Sequence, residues 1–313
     1  MLDPKLLEQF SIVAARAAYS SSLLKGKNDK IAADQAAVDS MRNYLNKIDM
    51  NGKIVIGEGE MDEAPMLYIG EILGTGKGEP LDIAVDPLDG TTLTAKNLPD
   101  AISVIAVSEK GNLLQAPDTY MEKIAIGPGY PENIIDLDSS IEDNLKNIAE
   151  FKSVKVSDLT VCLLERDRHK KMIQSLKKLS AKIKFISDGD VLGAIYTCMD
   201  NFKVDMYVGI GGAPEGVLAA AAIKCFGGQF QGRLVISDND EKLRATKLGI
   251  TDMKKKYYLN DIIKGDVIFC AAGVTDGEML KGIRVEGLNF LSDLLITHSE
   301  GKVTKIYTQT LEI

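Results

Sequence analysis

Acidic residues follow a short apolar run near residue 85, and their types and spacing suit the binding of divalent metal ions. The run at residues 83–85 leads directly into Asp86, Pro87, Leu88, Asp89 and Gly90. Because Pro87 fixes its φ angle and Gly90 permits a left-handed turn, the two carboxylates can converge. Two carboxylates about 4 Å apart repel by roughly 1 to 4 kcal/mol in a watery or surface environment, and divalent cations remove that cost. A plain strand-to-turn junction also favours Asp, Pro and Gly, and this alternative stays open.

A second acidic group lies about thirty residues upstream. Residues 53–56 are mainly apolar and lead into Gly57, Glu58, Gly59 and Glu60. Two strand ends that both carry carboxylates can hold two or three Mg²⁺ or Mn²⁺ ions and leave positions open for water and a phosphate. Apolar residues at helical spacing predict an amphipathic helix over residues 65–73. The next two acids, Asp62 and Glu63, fit the alternative of capping that helix.

Three phrases, in this order, resemble those of the class II fructose-1,6-bisphosphatases. They are residues 57–60 (GEGE), residues 86–91 (DPLDGT) and residues 211–216 (GGAPEG). That family belongs with the lithium-sensitive, metal-dependent sugar and inositol phosphatases, and the resemblance extends from about residue 25 to the C-terminus. It implies a layered α/β fold of the sugar-phosphatase type. This fold is a five-layer αβαβα sandwich with a mainly antiparallel first sheet and a mixed second sheet.

The resemblance also implies roles for individual residues. The implied metal ligands are Asp34, Glu58, Asp86, Asp89 and Glu215. The implied catalytic residues are Thr91, Asp34 and Glu60, with the Thr91 hydroxyl orienting the attacking water or relaying its proton. The implied substrate contacts are Lys30, Asp89, Gly90, Thr91, Tyr120, Arg166, Asp167, Arg168, Asp188, Gly189, Asp190 and Gly212.

The reaction implied by the resemblance is hydrolysis of the 1-phosphate of fructose 1,6-bisphosphate, which gives fructose 6-phosphate and phosphate in gluconeogenesis. A water activated by Mn²⁺ or Mg²⁺ attacks phosphorus directly, without a phosphoenzyme. Arg166 and Arg168 would anchor the phosphate that is not cleaved, by charge-assisted hydrogen bonds. A bisphosphatase that acts on sedoheptulose 1,7-bisphosphate, or on both sugars, is an alternative. A further alternative is a sugar-phosphate sensor that binds without hydrolysis.

The chain departs from the family pattern at three places. Asp89 stands where many members carry Glu, which shortens the ligand by one methylene. The segment Arg166-Asp167-Arg168-His169 stands where Lys-Pro-Arg-His is common, which puts the role of Asp167 in question. Residues 26–30 (GKNDK) are an imperfect copy of a further family phrase, Gly-x-Gly-Asp-Lys-Asn.

Two successive α/β domains, residues 1–155 and 156–313, are predicted to position these residues. In the first domain, helices at the N-terminus and at residues 36–45 precede strands at 53–56, 82–85, 102–107 and 112–115, with a hairpin turn at 109–112. After residue 155 strands and helices alternate, which predicts a mixed or parallel sheet. Ligands bind at the carboxyl ends of strands in such sheets. Helix capping stays an alternative for Asp188 and Asp190, and Glu215 at the start of a helix is also a normal dipole partner.

Composition excludes several classes of protein. The net charge of -8 argues against a nucleic-acid partner, which needs a basic surface. No uncharged apolar run approaches the roughly 20 residues of a membrane span, and no signal peptide is visible, so a cytoplasmic location is expected. The 4 cysteines are scattered without the spacing of a zinc or redox motif.

The expected partner is a small-molecule sugar bisphosphate, and the resemblance suggests a homodimer or homotetramer.

Overall fold

The fold is described from a computed structural model that covers residues 1–59 and 66–313. Contacts divide the chain into two compact units. The first contains Met1–Gln115 and Ile263–Ile313, and the second contains Ala116–Ile262. These limits differ from the predicted domains 1–155 and 156–313. The C-terminal strands return to the first sheet, and residues 116–155 supply a strand and a helix to the second unit.

The first unit is built on one large sheet. Its strands in the described residues are β1 (Asn51–Ile56), β2 (Ile72–Leu73), β3 (Pro80–Asp89), β4 (Ile102–Glu109), β11 (Val267–Gly273), β12 (Arg284–Glu286), β13 (Asn289–His298) and β14 (Val303–Glu312). The strand order is β12-β13-β11-β4-β3-β1-β2, and β14 also pairs with β13. β1 and β3 run parallel, whereas the other described neighbours are antiparallel.

Three helices of the first unit are α1 (Pro4–Ser22), α2 (Lys30–Leu45) and α3 (Thr91–Lys96). Asp3 and Asp29 cap α1 and α2, since their side chains accept backbone N–H bonds at the first turns. Phe10 of α1 and Met41 of α2 are fully buried in the core that both helices form with the sheet. Each such side chain contributes about 1.5–3 kcal/mol on burial. The core therefore fixes α2 against β3 and α3.

The second unit has a smaller sheet in the order β10-β9-β5-β8-β6-β7. Its strands are β5 (Tyr120–Ile126), β6 (Thr160–Leu164), β7 (Lys182–Ile186), β8 (Met206–Gly212), β9 (Gln229–Val235) and β10 (Tyr257–Tyr258). β6 is parallel to β7 and β8, and the other pairs are antiparallel. The helices are α4 (Ile141–Lys152), α5 (Lys170–Lys178), α6 (Asp190–Ile195), α7 (Ala213–Phe226), α8 (Asn239–Lys247) and α9 (Leu259–Ile262).

The structure confirms the predicted α/β class, with a mainly antiparallel first sheet and a mixed second sheet. Two local predictions are wrong. Residues 66–73 form no helix, because Leu67 has a left-handed φ of 53° and Ile72–Leu73 pairs with β1 instead. Residues 112–115 form no strand beyond an isolated bridge between Leu113 and Ile263. Among the helices of the described residues, none has the length and apolar character of a membrane span.

Candidate active site

The two acids at the end of β3 share one face of the sheet. Asp86 pairs with Val104 of β4 and Asp89 pairs with Ile102, so β3 carries one extra residue between the two pairs. Side chains two residues apart on a strand point to the same face, so Val104 and Ile102 share a face. Their partners Asp86 and Asp89 therefore share it too, as the metal-site hypothesis requires. The Leu88 N–H donates a hydrogen bond to Asp86 Oδ1 at 3.1 Å, which stabilises the bulge locally.

Gly90 connects these acids to Thr91. Its φ of 98° is left-handed, and α3 begins at the next residue. A Cβ at this position would also lie 2.9 Å from Leu93 Cδ1, so a larger residue would require Leu93 to move. Thr91 is half-buried and immediately follows Asp89 and Gly90. Its hydroxyl therefore belongs to the same short turn as the predicted ligands.

Glu58 leaves the sheet at the same edge as Asp86. β1 and β3 are parallel neighbours, and Ile56 pairs with Ala84. Glu58 and Asp86 each lie two residues beyond that pair. The Glu58 backbone N–H donates to the Leu67 carbonyl at 3.0 Å, which ties the residue to the returning chain. The predicted catalytic Glu60 and the predicted caps Asp62 and Glu63 lie outside the described residues.

Asp34 and Lys30 lie on α2, which packs against β3 and α3. Asp34 is half-buried, and desolvation raises the pKa of its carboxyl above the ordinary value. Lys30 is the first residue of α2 and is exposed. The helix packed against β3 therefore carries one predicted metal ligand, Asp34, and one predicted substrate contact, Lys30.

The donor set of the first unit fits hard divalent cations in its chemistry. Asp34, Glu58, Asp86 and Asp89 offer only carboxylate oxygens, the ligands that Mg²⁺ and Mn²⁺ prefer. Within residues 1–59 and 66–313, no three His, Cys, Asp or Glu side chains are already grouped as a metal site. The ligand assignments therefore remain proposals.

In the second unit, Asp190 is the most constrained of the predicted residues. It is the first residue of α6 and is 4% exposed. The Lys123 ammonium lies 2.7 Å from its Oδ2, and the Tyr207 hydroxyl donates to the same oxygen at 2.9 Å. Helix capping alone does not account for this ion pair. Gly189 precedes it in a left-handed conformation, with φ 67°.

Glu215 lies in the first turn of α7, three residues after the end of β8. Burial raises the pKa of its carboxyl, and the positive charge of Lys123 acts in the opposite direction. A Cβ at Gly212 would overlap the Glu215 carboxylate, so the absence of a side chain there gives this acid its place. The dipole of α7 and Lys123 both favour negative charge at this position.

The two predicted phosphate-binding arginines follow β6 and have separate partners. Arg166 pairs with Asp188 at 3.1 Å. Arg168 donates from Nε to the Ile210 carbonyl at 2.8 Å, and its guanidinium lies 4.8 Å from the centre of the Tyr120 ring. The structure thus brings Arg166 to Asp188, and Arg168 to Tyr120.

Asp167 lies between these arginines but points to solvent. It is exposed and pairs with Lys170 at 3.0 Å in the next turn. An exposed pair of this kind contributes little to stability.

Sequence reasoning missed two buried residues that organise the second unit. Lys123 was not singled out, although a single lysine followed by Ile124, Ala125 and Ile126 in one strand is a visible signal of a paired buried charge. His169 has no role in the predicted site, although it directly follows the arginines in the sequence. It is fully buried, its Nδ1 donates to the Leu164 carbonyl at 2.7 Å, and its Nε2 accepts the Ile210 N–H at 2.8 Å. Burial lowers the His169 pKa, in keeping with this neutral tautomer.

Comparisons with known proteins agree with these features. A family model described as "Bacterial fructose-1,6-bisphosphatase, glpX-encoded" matches residues 4–310. The chain is similar to "Fructose-1,6-bisphosphatase 1 class 2" of Escherichia coli, with 42% identity across 96% of this chain and 93% of the relative. It is also similar to "Fructose-1,6-bisphosphatase class 2" of Haemophilus influenzae, with 44% identity across 97% and 96%.

Among solved structures, the extragenic suppressor protein SuhB of Bartonella henselae has a weak likeness. Its TM-score is 0.36 at 14% identity, covering 63% of this chain and 73% of that one. An inositol monophosphatase of Anabaena gives 0.32 at 16% identity, with 61% and 71% covered. Such scores carry no argument about the site.

Proposed function

Since the chain belongs to the family of bacterial, glpX-encoded fructose-1,6-bisphosphatases, we propose that it hydrolyses the 1-phosphate of fructose 1,6-bisphosphate in gluconeogenesis. The products are fructose 6-phosphate and phosphate. The observation that carries this proposal is the family match over residues 4–310, together with 42% and 44% identity to class 2 enzymes over nearly their full length.

The carboxylates of the first unit would hold the divalent ions on which this family depends. Asp86 and Asp89 share a face of β3, Glu58 leaves the neighbouring strand at the same edge, and Asp34 lies on the helix packed against β3. Glu215 is a fifth ligand on the sequence resemblance alone. Divalent ions such as Mn²⁺ or Mg²⁺ acidify water and offset phosphoryl charge when bound. The identity of the ion, Mn²⁺ or Mg²⁺, is part of the proposal.

Thr91 would act on the attacking water. Its position directly after Gly90 keeps its hydroxyl in the turn of the acids, and a β-branched side chain has few rotamers. The hydroxyl would accept a hydrogen bond from water and pass its proton towards a carboxylate. Asp34 and Glu60 are the carboxylates proposed with it.

The remaining proposed residues would bind the sugar and the phosphate that is not cleaved. Arg166 and Arg168 offer planar, bidentate donors to that phosphate. The residues proposed to contact the substrate beside them are Lys30, Asp89, Gly90, Thr91, Tyr120, Asp167, Asp188, Gly189, Asp190 and Gly212. The Arg168–Tyr120 contact supports a role for Tyr120 in keeping the guanidinium in place.

Phosphate release from a panel of sugar phosphates tests the function. We expect turnover of fructose 1,6-bisphosphate with Mn²⁺ or Mg²⁺, none with EDTA, and inhibition by Li⁺. A higher kcat/KM for sedoheptulose 1,7-bisphosphate would make that sugar the substrate. Binding of the bisphosphate without phosphate release would identify a sensor and overturn the proposal. The cytoplasmic location and the homodimer or homotetramer remain predictions from the sequence.

A further inference from the structure

A lysine is fully buried in the middle of the second sheet. Lys123 of β5 is 1% exposed, and it is among the largest fully buried side chains of the described residues. Burial of an ammonium is costly unless it is paired. Its partner is Asp190, 2.7 Å away on the first turn of α6. Replacement of such a pair by apolar residues is often neutral or stabilising, so the pair is not explained by stability alone.

Two further groups constrain the same oxygen of Asp190. The Tyr207 hydroxyl donates to Oδ2 at 2.9 Å. Burial and the negative charge of Asp190 raise the pKa of this phenol well above its ordinary value, so it remains a donor. A Cβ at Gly211 would overlap Oδ2, so only glycine lets the carboxylate approach β8 this closely. Three residues therefore fix the position of one carboxylate oxygen.

The other oxygen of Asp190 has no hydrogen-bond partner among the described residues. Oδ1 is buried, and it is a strong acceptor. A buried acceptor left unpaired destabilises the folded chain, and more so when it carries charge. A donor from a bound ligand would remove that cost. Sugar hydroxyls are such donors, and the family resemblance implies that residues 188–190 contact the substrate.

We propose that Lys123 and Tyr207 are positioning residues, which hold Asp190 so that its Oδ1 accepts a hydrogen bond from a hydroxyl of the bound sugar phosphate. Lys123 and Tyr207 act through Asp190 and touch no substrate themselves. The assignment rests on the proposed function, because the sugar is that of the proposed substrate. The positive charge of Lys123 also acts on Glu215, where it lowers the pKa of the carboxyl against the effect of burial.

Steady-state kinetics of Lys123→Met and Tyr207→Phe test the proposal. We expect KM for fructose 1,6-bisphosphate to rise about tenfold in Lys123→Met and a few-fold in Tyr207→Phe. Loss of one hydrogen bond to a charged group typically weakens binding by factors of this size. We expect kcat to change much less, because neither residue contacts the reacting phosphate. The matched control is Lys178→Met, an exposed lysine at the end of α5, which should leave both constants unchanged.

A double-mutant cycle separates positioning from a merely structural role. In an Asp190→Asn background the added effects of Lys123→Met and Tyr207→Phe on KM should largely disappear, because there is no carboxylate left to position. The same cycle is repeated on binding of fructose 6-phosphate by titration calorimetry, which needs no turnover. Additive effects in both measurements would overturn the proposal.

Three outcomes are distinguishable. If Lys123→Met does not fold, Tyr207→Phe loses only one hydroxyl and still completes the cycle. If the wild-type protein releases no phosphate and binds no fructose 6-phosphate, the proposed function fails and this inference fails with it. If the wild-type protein is active and the cycle is additive, only the positioning roles fail.

Discussion

Replacement of Glu71 should weaken both the fold and metal binding, although this residue is not a predicted ligand. Glu71 is 5% exposed. Its Oε1 accepts from Arg42 Nε on α2 at 2.7 Å, and its Oε2 accepts the Leu67 N–H at 2.5 Å. The Leu67 carbonyl in turn accepts the Glu58 N–H at 3.0 Å. Glu71 therefore connects the helix that carries Asp34 to the segment that holds Glu58.

The size of the effect follows from these bonds. Glu71→Gln keeps the shape and one acceptor oxygen but loses the charge and one of the two acceptor bonds. Hydrogen bonds to charged groups contribute about 1.5–3 kcal/mol each, so we expect a loss of roughly 2–3 kcal/mol in the free energy of unfolding. For a chain of 313 residues that is a fall of about 3–5 °C in Tm, since the entropy of unfolding is about 2.1 cal/mol/K per residue. Mn²⁺ affinity should fall roughly tenfold, as is common when a residue that supports a ligand is lost.

Thermal unfolding and calorimetric titration with Mn²⁺ measure the two effects. Glu79→Gln is the matched control, because Glu79 is an exposed glutamate of the same unit and precedes β3. It should change neither Tm nor Mn²⁺ affinity. If Glu71→Gln behaves like Glu79→Gln in both measurements, the connection from Arg42 to Glu58 has no energetic role and the reasoning is refuted. A lower Tm with unchanged Mn²⁺ affinity would restrict Glu71 to stability.

Three other substitutions test separate parts of the site. Thr91→Ala should lower kcat by about 100-fold or more while KM and Mn²⁺ affinity stay the same, and an unchanged kcat removes its proposed role. His169 has a lowered pKa in the folded chain, so its contribution to stability is present above the unfolded value of about 6.5 and is lost as pH falls. Urea unfolding should therefore show a stability loss between about pH 7.5 and pH 5.5 that is smaller in His169→Gln, and equal slopes would contradict this. Arg168→Lys should raise KM about tenfold, because lysine cannot both bond Ile210 and cover the Tyr120 ring, whereas an unchanged KM in steady-state kinetics would show that this geometry is unimportant.

The acids at the strand ends could be predicted from the sequence because the signal is local. An apolar run that ends in Asp86-Pro87-Leu88-Asp89-Gly90 specifies a strand, its end and a turn within ten residues. What the sequence could not supply was the bulge that places Asp86 and Asp89 on one face. That bulge is defined by pairing with Val104 and Ile102, and register across strands depends on packing of the whole sheet.

Long-range pairing also explains why the predicted domain limits differ from the observed units. Local periodicity identified the alternation of strands and helices between β6 and α7, and it is observed. It could not show that β11 and β13 return to the first sheet, since β11 pairs with β4 some 160 residues earlier in the chain. The failed helix at residues 66–73 has the same cause. Its apolar spacing suits a helix, but the pairing of Ile72–Leu73 with β1 determines the structure.

The glycines at the end of β8 show why a motif can be found correctly and still be interpreted incompletely. In the sequence, the phrase at residues 211–216 was recognised, and the resemblance implied a substrate contact at Gly212. In the structure the space that their missing side chains leave is taken by carboxylates, that of Asp190 at Gly211 and that of Glu215 at Gly212. Gly209 follows the same rule, since its Cβ would lie 3.3 Å from the ring of His169. The glycines therefore let ionisable side chains lie directly against the strand, a role that the sequence did not reveal.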